Sequence, residues 1–96
     1  MRYKELKIDG KVLTSQSKID SALESNGFYW IVDSEIENAV LEITKNTLIW
    51  HNGTFYNGKW HYGIFKDGIF NGVWINGIFE NGIFRGKWES GIRSNQ

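Results

Sequence analysis

The sequence predicts a mainly β protein with one short N-terminal helix, an α+β chain whose second half is a tandem array. Glycine and tryptophan return every fourteen residues in that half, at Gly58, Gly72 and Gly86 and at Trp60, Trp74 and Trp88. The stretch "TSQSKIDSALESNG" predicts one short helix. With 96 residues we expect a single domain, residues 1–96, in which residues 1–50 cap a Gly-aromatic array of residues 51–96.

The first elements have local signals. Asp9-Gly10 lies between apolar-alternating arms and predicts a tight hairpin. Ser15 or Ser17 can cap the start of the helix, whose apolar stripe is Ile19, Ala22 and Leu23. Asn26-Gly27 supplies the left-handed residue on which helices commonly end.

Two segments between the helix and the array have β composition. The stretch "FYWIVD", residues 28–33, is aromatic and β-branched and predicts a strand. In "SEIENAVLEITKNTLIW" the spacing of Ile36, Val40 and Ile43 fits a helix face as well. We favour a strand there, because Thr44, Thr47 and Ile49 continue the β character.

Within the array, large aromatic residues follow one another at steps of five, interrupted by steps of four. Type I′ turns at Asn76-Gly77 and Asn81-Gly82, with Asn71-Gly72 inside a strand, would place every ring on one face of an antiparallel β-meander of 14-residue units. The alternative is a small β-solenoid with 14-residue coils, in which the tryptophans stack as a ladder. We favour the meander, because a narrow solenoid must fit three large rings per coil at native packing density.

Residues 56–91 resemble the membrane-occupation-and-recognition-nexus (MORN) repeat, whose core is aromatic, any, Gly, any, Trp, two of any, Gly. The motif occurs as "YNGKWHYG", "FNGVWING" and "FRGKWESG". The array is also similar to the glycine-aromatic (GxW/GxF) short repeats of phage and bacterial proteins. The resemblance implies a string of short hairpins with an aromatic face, and a role in protein interaction or dimerisation, with lipid binding also proposed for the family.

Composition argues against several classes of function. Eleven basic residues balance eleven acidic ones, whereas a dedicated nucleic-acid binder carries a basic face. There is no cysteine, and His51 and His61 lack a third nitrogen or sulfur ligand, so we expect no metal. No nucleophile lies in a strained elbow or beside a glycine-rich phosphate loop, so we expect no cofactor and no enzymatic activity. Without a secretory apolar segment or a membrane-spanning window, we expect a cytoplasmic or virion-associated protein with no signal peptide.

The function that these patterns favour is protein interaction. The aromatic row is either core or, toward Phe84 and Trp88, an open binding face. A meander would carry aliphatic residues on its other face as well, and one N-terminal segment can hardly cover both faces. The candidate interface comprises Ile69, Val73, Ile75, Ile78, Ile83, Phe84 and Trp88. We expect a self-associating module, either a phage or bacterial assembly component or an inhibitor of a host protein; the alternative is carbohydrate or other ligand binding on exposed rings.

Overall fold

The structure, a computed structural model, describes residues 1–94 and is mainly β with two short helices. The N-terminal elements are β1 (Tyr3–Ile8), β2 (Lys11–Leu13), α1 (Gln16–Ser25), α2 (Tyr29–Val32), β3 (Glu35–Thr44) and β4 (Thr47–Asn57). The array adds eight two-residue strands, β5 (Lys59–Trp60), β6 (Ile64–Phe65), β7 (Ile69–Phe70), β8 (Val73–Trp74), β9 (Ile78–Phe79), β10 (Ile83–Phe84), β11 (Lys87–Trp88) and β12 (Ile92–Arg93).

The hairpin and the first helix form as predicted. Asp9 and Gly10 both have positive φ, at 52° and 74°, as a type I′ turn requires, and β2 pairs antiparallel with β1. Ser15 caps α1 by accepting a hydrogen bond from the Lys18 amide, and Gly27 at φ 86° follows its end. The helix buries Ile19 and Leu23.

The predicted strand at residues 28–33 is wrong, because Tyr29–Val32 forms the short helix α2. The helix buries the adjacent residues Trp30 and Ile31 and leaves Tyr29 exposed. The Arg2 guanidinium holds the end of this turn by donating to the carbonyls of Ile31, Val32 and Ser34. A local tertiary contact therefore overrides the β composition of the segment.

A second contact fastens α1 to the sheet. The buried Tyr3 hydroxyl donates a hydrogen bond to the Asp20 carboxylate of α1. Burial, with this hydrogen bond as a smaller cause, raises the pKa of Tyr3 to about 12. Tyr3 therefore stays neutral at physiological pH and serves as a structural donor.

The segment 35–57 is a curved antiparallel hairpin of β3 and β4, so the predicted strand there is confirmed. Lys45 and Asn46 turn the chain with φ of 48° and 60°. On its other side β3 pairs in parallel with β1. The resulting sheet runs in the order β12-β9-β6-β4-β3-β1-β2 and joins the N-terminal half to the array without a break.

The array is a parallel β-solenoid, and the antiparallel meander is wrong. Every strand pairing within it is parallel: β5 with β8, β8 with β11, β6 with β9, β9 with β12, and β7 with β10. Partners are fourteen residues apart, such as Ile64 with Ile78 and Lys59 with Val73. The alternative from the sequence, a small solenoid with 14-residue coils, is therefore confirmed, and the string of hairpins implied by the MORN resemblance is not what forms.

Each coil has three faces, named here after the strands of the last coil. The β10 face stacks Thr54, Ile69 and Ile83 outward, the β11 face stacks Lys59, Val73 and Lys87, and the β12 face stacks Ile49, Ile64, Ile78 and Ile92. The step from β4 to β6 and β7 is fifteen residues, one more than between later coils. Each strand from β5 to β11 is followed within three residues by a glycine at a corner.

The corners explain why the turn prediction failed. A type I′ turn needs positive φ at both central residues, yet at the corner Asn76-Gly77 only the glycine has it, at 115°. The Asn76 side chain accepts a hydrogen bond from the Gly77 amide. The chain turns a corner there and does not reverse, because β8 and β9 pair with strands of the neighbouring coils and not with each other. At Asn71-Gly72, predicted to be strand, the chain also bends, and there Gly72 has no positive φ.

The aromatic rings fill the interior of the solenoid, and their geometry shows how three large rings fit into one narrow coil. Within a coil they meet edge to face, as Phe70 and Trp74 do at 5.3 Å between ring centroids and 82°. Between coils they stack nearly flat, Trp60 on Trp74 at 5.0 Å and Trp74 on Trp88 at 5.5 Å. The two geometries are those that aromatic pairs prefer. Three rings per coil therefore fit the interior of the coils before the last one, and the rings from Trp60 to Phe79 are core.

Candidate interaction surface

The two ends of the solenoid differ. At the N-terminal end, α2 lies over the first coil, and the Trp30 ring packs edge-on against Trp60 with centroids 5.1 Å apart. Trp30 is 3% exposed, and Phe28 and Ile31 beside it are buried as well. The helices therefore close this end of the aromatic core.

At the C-terminal end, the last coil has no such cover within residues 1–94. Phe84 and Trp88 point inward and stack on the coil below, but both are only half-buried, whereas their counterparts Phe70 and Trp74 are fully buried. The third inward position of this coil is Arg93, in register with Phe79. Its guanidinium carbon lies 4.8 Å from the Phe84 ring centroid and 5.7 Å from that of Trp88. A cationic side chain thus lies across the open end of the core.

The backbone of the last coil is open along the same edge. The amides of residues 83, 85, 87, 89, 92 and 94 all donate to carbonyls of the preceding coil. Since backbone groups of alternate residues point to opposite sides of a strand, the N–H and C=O groups of Phe84, Trp88 and Arg93 point away from the solenoid. Within the described residues β10, β11 and β12 pair on one side only. Such edges are templates for pairing with another strand.

The predicted interface residues fall into two sets. Ile69, Val73, Ile75 and Ile78 lie on the outer surface and are half-buried, because stacked neighbours shield one another. Ile83 is also on the outside but belongs to the last coil and is 47% exposed. Phe84 and Trp88 lie inside that coil and are accessible only from its open end. The structure therefore brings Ile83, Phe84 and Trp88 together and leaves the other four along the sides.

One exposed residue of this end was missed. Ile92 is 61% exposed and stacks in register on Ile78. The fourteen-residue series Ile64, Ile78, Ile92 is visible in the sequence and could have identified it. We call Ile83, Phe84, Trp88, Ile92 and Arg93 the open coil end.

A second feature is an aromatic cleft beside α2. It has a volume of about 250 Å³ and is lined by Tyr29, Trp30, Asp33, Ser34, Gly58, Lys59 and His61. The His61 ring stacks on Trp30 with centroids 5.4 Å apart and an interplanar angle of 9°. Tyr29 meets His61 edge-on and is 53% exposed. The cleft therefore offers accessible ring surface beside a carboxylate and an ammonium group.

The two histidines are far from forming a common site. His51 lies on β4 with its Nε2 atom 2.9 Å from Oε1 of Glu42, while His61 belongs to the aromatic cleft. Asp67, the carboxylate nearest to His61 in the sequence, is exposed at a corner and accepts a hydrogen bond from the Gly68 amide. Among residues 1–94 no three His, Cys, Asp or Glu side chains are grouped as metal ligands.

No helix in residues 1–94 combines the length and apolarity needed to span a bilayer. No protein-family model, no curated protein and no solved structure matches the chain.

Proposed function

We propose that this chain is a non-enzymatic protein-interaction module that associates with itself through the open coil end. One observation carries the proposal: the aromatic core is closed by helices at one end and ends at the other in the half-buried rings of Phe84 and Trp88. Apolar surface of this kind, surrounded by polar residues, is typical of protein interfaces.

The rim of the open coil end supports the same function. Ile83 and Ile92 add exposed aliphatic surface to the two rings, on the β10 and β12 faces. Arg and Trp, both present here, are the residue types enriched at the energetic centres of interfaces. Unpaired strand edges add hydrogen-bonding capacity. Within this class we propose a phage or bacterial assembly component or an inhibitor of a host protein.

We expect the molar mass from light scattering to rise with protein concentration for the wild type and to stay monomeric for an Ile83→Lys/Ile92→Lys double variant. Each lysine would replace exposed aliphatic surface of the open coil end by a charge. Val12→Lys is the matched control, because Val12 is 56% exposed on the edge strand β2 at the other end of the sheet. A wild type that remains monomeric at all concentrations, or a double variant that associates as the wild type does, would contradict self-association.

The aromatic cleft favours a second candidate function, stacking of a sugar ring on exposed aromatics. The stacking hypothesis cannot use the array tryptophans Trp60 and Trp74, which are fully buried. Tyr29 and His61 offer open ring surface, and Asp33 and Lys59 could hydrogen-bond hydroxyl groups.

For this second function we expect tryptophan fluorescence to change with oligosaccharide and not with protein concentration, because Trp30 lines the cleft. His61→Ala should raise the oligosaccharide concentration needed for half of the fluorescence change at least tenfold. Tyr56→Ala, which removes an exposed ring outside the cleft, should leave it unchanged. Equal responses from the two variants would reject the cleft as the binding site.

A further inference from the structure

We infer that the open coil end binds a second copy of this chain, tail to tail, about a two-fold axis that passes through β11 at Trp88. The inference rests on the proposed function and specifies its partner and its geometry. Four features of the molecule favour this arrangement over head-to-tail stacking.

The first feature is the difference between the two ends. Head-to-tail stacking would require the open coil end to meet the first coil of another copy, but α2 and Trp30 occupy that position. Between two copies of this chain the open coil end therefore meets the open coil end of the other copy, and not the first coil. Such a contact is isologous and closes as a dimer.

The second feature is the slope of the last coil. Neighbouring coils lie one strand spacing apart, so the chain climbs roughly 1.6 Å per face from β10 through β11 to β12, a third of the ~4.8 Å spacing. Along the solenoid axis β10 is then the strand that protrudes least and β12 the strand that protrudes most. A two-fold axis through the middle strand places the β10 of one copy against the β12 of the other. An axis through β10 would instead bring the two more protruding strands, β11 and β12, against each other and make them clash. An axis through β12 would leave a gap between β10 and β11.

The third feature is the match of open backbone groups. The axis at Trp88 sets β11 antiparallel to β11 of the second copy, so that the two Trp88 residues exchange N–H and C=O bonds. The inward positions on either side are Phe84, four residues before Trp88, and Arg93, five residues after it, so the in-register backbone pairing is confined to β11. The outward-pointing N–H and C=O groups of Trp88 in both copies are then satisfied, in two hydrogen bonds.

The fourth feature is charge. With Trp88 opposite Trp88, the flanking Lys87 of each copy lies directly across from Glu89 of the other. Both side chains are exposed, and no ion pair involves either residue in the part of the chain that the structure describes. Opposite charges directly across antiparallel strands stabilise pairing, and like charges oppose it.

Arg93 sets the strength of the contact. It occupies the position that Phe65 and Phe79 hold in earlier coils, so the dimer encloses two cationic side chains near the aromatic core. Each guanidinium lies over aromatic rings, which offsets part of the desolvation cost. A contact confined to one coil end is also smaller than the ~800 Å² per partner of a standard interface. We therefore expect a dimer that dissociates in the micromolar range.

Distances between spin labels test the geometry, because the chain has no native cysteine. Ser90→Cys places a label at the open end, and Val12→Cys places one on β2, six strand spacings along the sheet from β12. In the dimer we expect about 10–20 Å between the labels at residue 90 and about 60 Å between those at residue 12, from strand spacings of ~4.8 Å. A dimer with labels at residue 90 more than 30 Å apart would overturn the tail-to-tail arrangement while leaving self-association intact.

Charge exchange tests the register. Lys87→Glu and Glu89→Lys should each raise the dimer dissociation constant about tenfold, since each replaces two opposite-charge contacts by two like-charge contacts. The double variant Lys87→Glu/Glu89→Lys should restore the wild-type value, because the pairs are then inverted but complete. Additive weakening in the double variant would reject the register at Trp88, and a monomeric wild type would reject both this inference and the proposed function.

Discussion

Replacing Gly77 with alanine should lower the free energy of unfolding by about 4 kcal/mol, the sum of a strained φ and an overpacked contact, each worth ~1–3 kcal/mol. Gly77 has φ 115°, and a Cβ atom there would lie 2.5 Å from the carbonyl oxygen of Gly63 on the preceding coil and 3.2 Å from Nε1 of Trp60. The backbone carbonyl cannot move without separating the coils. For a chain of this size the melting temperature should fall by roughly 20 °C.

Two other glycines separate the two causes. Gly27 has φ 86° with nothing within 4 Å of the added Cβ, so Gly27→Ala carries the conformational cost alone, about 1 kcal/mol. Gly72 has no positive φ, but its Cβ would lie 2.6 Å from the Gly58 carbonyl oxygen and from the Phe55 ring, so Gly72→Ala carries the steric cost, about 3 kcal/mol. Denaturant unfolding measures all three variants. Equal losses for Gly27→Ala and Gly77→Ala would contradict close stacking of the coils.

Replacing Trp74 with alanine should cost about 3–5 kcal/mol, the usual range for removing a large buried ring. Trp74 is fully buried in the middle of the tryptophan ladder, stacked on Trp60 and Trp88, with the edges of Phe70 and Phe79 against it. The cavity would open at the centre of the coil, where the backbone of three faces prevents collapse.

Trp88→Ala is the matched control for this substitution. Trp88 has the same place in the repeat but stacks on one tryptophan only and is half-buried, so we expect a loss of about 1–2 kcal/mol for its smaller buried area. Chemical denaturation at low protein concentration keeps association from adding to the stability. Similar losses for the two variants would contradict a core closed at one end and open at the other.

The sequence was informative where a signal is local or periodic. The Asp9-Gly10 hairpin and the helix from Gln16 to Ser25 rest on turn and cap residues whose effect is local, and both form. The fourteen-residue period gave the coil length. The helix Tyr29–Val32 was missed because its conformation depends on Trp30 packing over the first coil, a contact that β composition does not encode.

The sequence does not distinguish parallel from antiparallel pairing of the array strands. An Asn-Gly pair suits a type I′ reversal or a solenoid corner, and the two differ only in the φ of the residue before glycine. Stacking of Trp60 on Trp74 tips the balance, because coils of equal length superpose every ring on its counterpart. The packing argument against a narrow solenoid was wrong, because edge-to-face contacts such as that between Phe70 and Trp74 let three rings share one cross-section of a coil.

The open coil end was partly visible in the sequence. Phe84 and Trp88 belong to the last repeat, which was the reason to suspect an open face there. The substitution of Arg93 in the series Phe65, Phe79, Arg93 is a further signal that marks the end of the aromatic column. Its importance depends on knowing that position 93 points inward, and that follows only from the parallel register.

Backbone nuclear Overhauser effects test the parallel solenoid most directly. The structure predicts contacts between residues fourteen apart, such as Ile64 with Ile78, Ile69 with Ile83 and Val73 with Lys87. It also predicts slow amide exchange at Ile78 and Ile92, whose N–H groups donate to the Gly63 and Gly77 carbonyls. Cross-strand contacts between residues on the two sides of each Asn-Gly pair, without the fourteen-residue contacts, would contradict it.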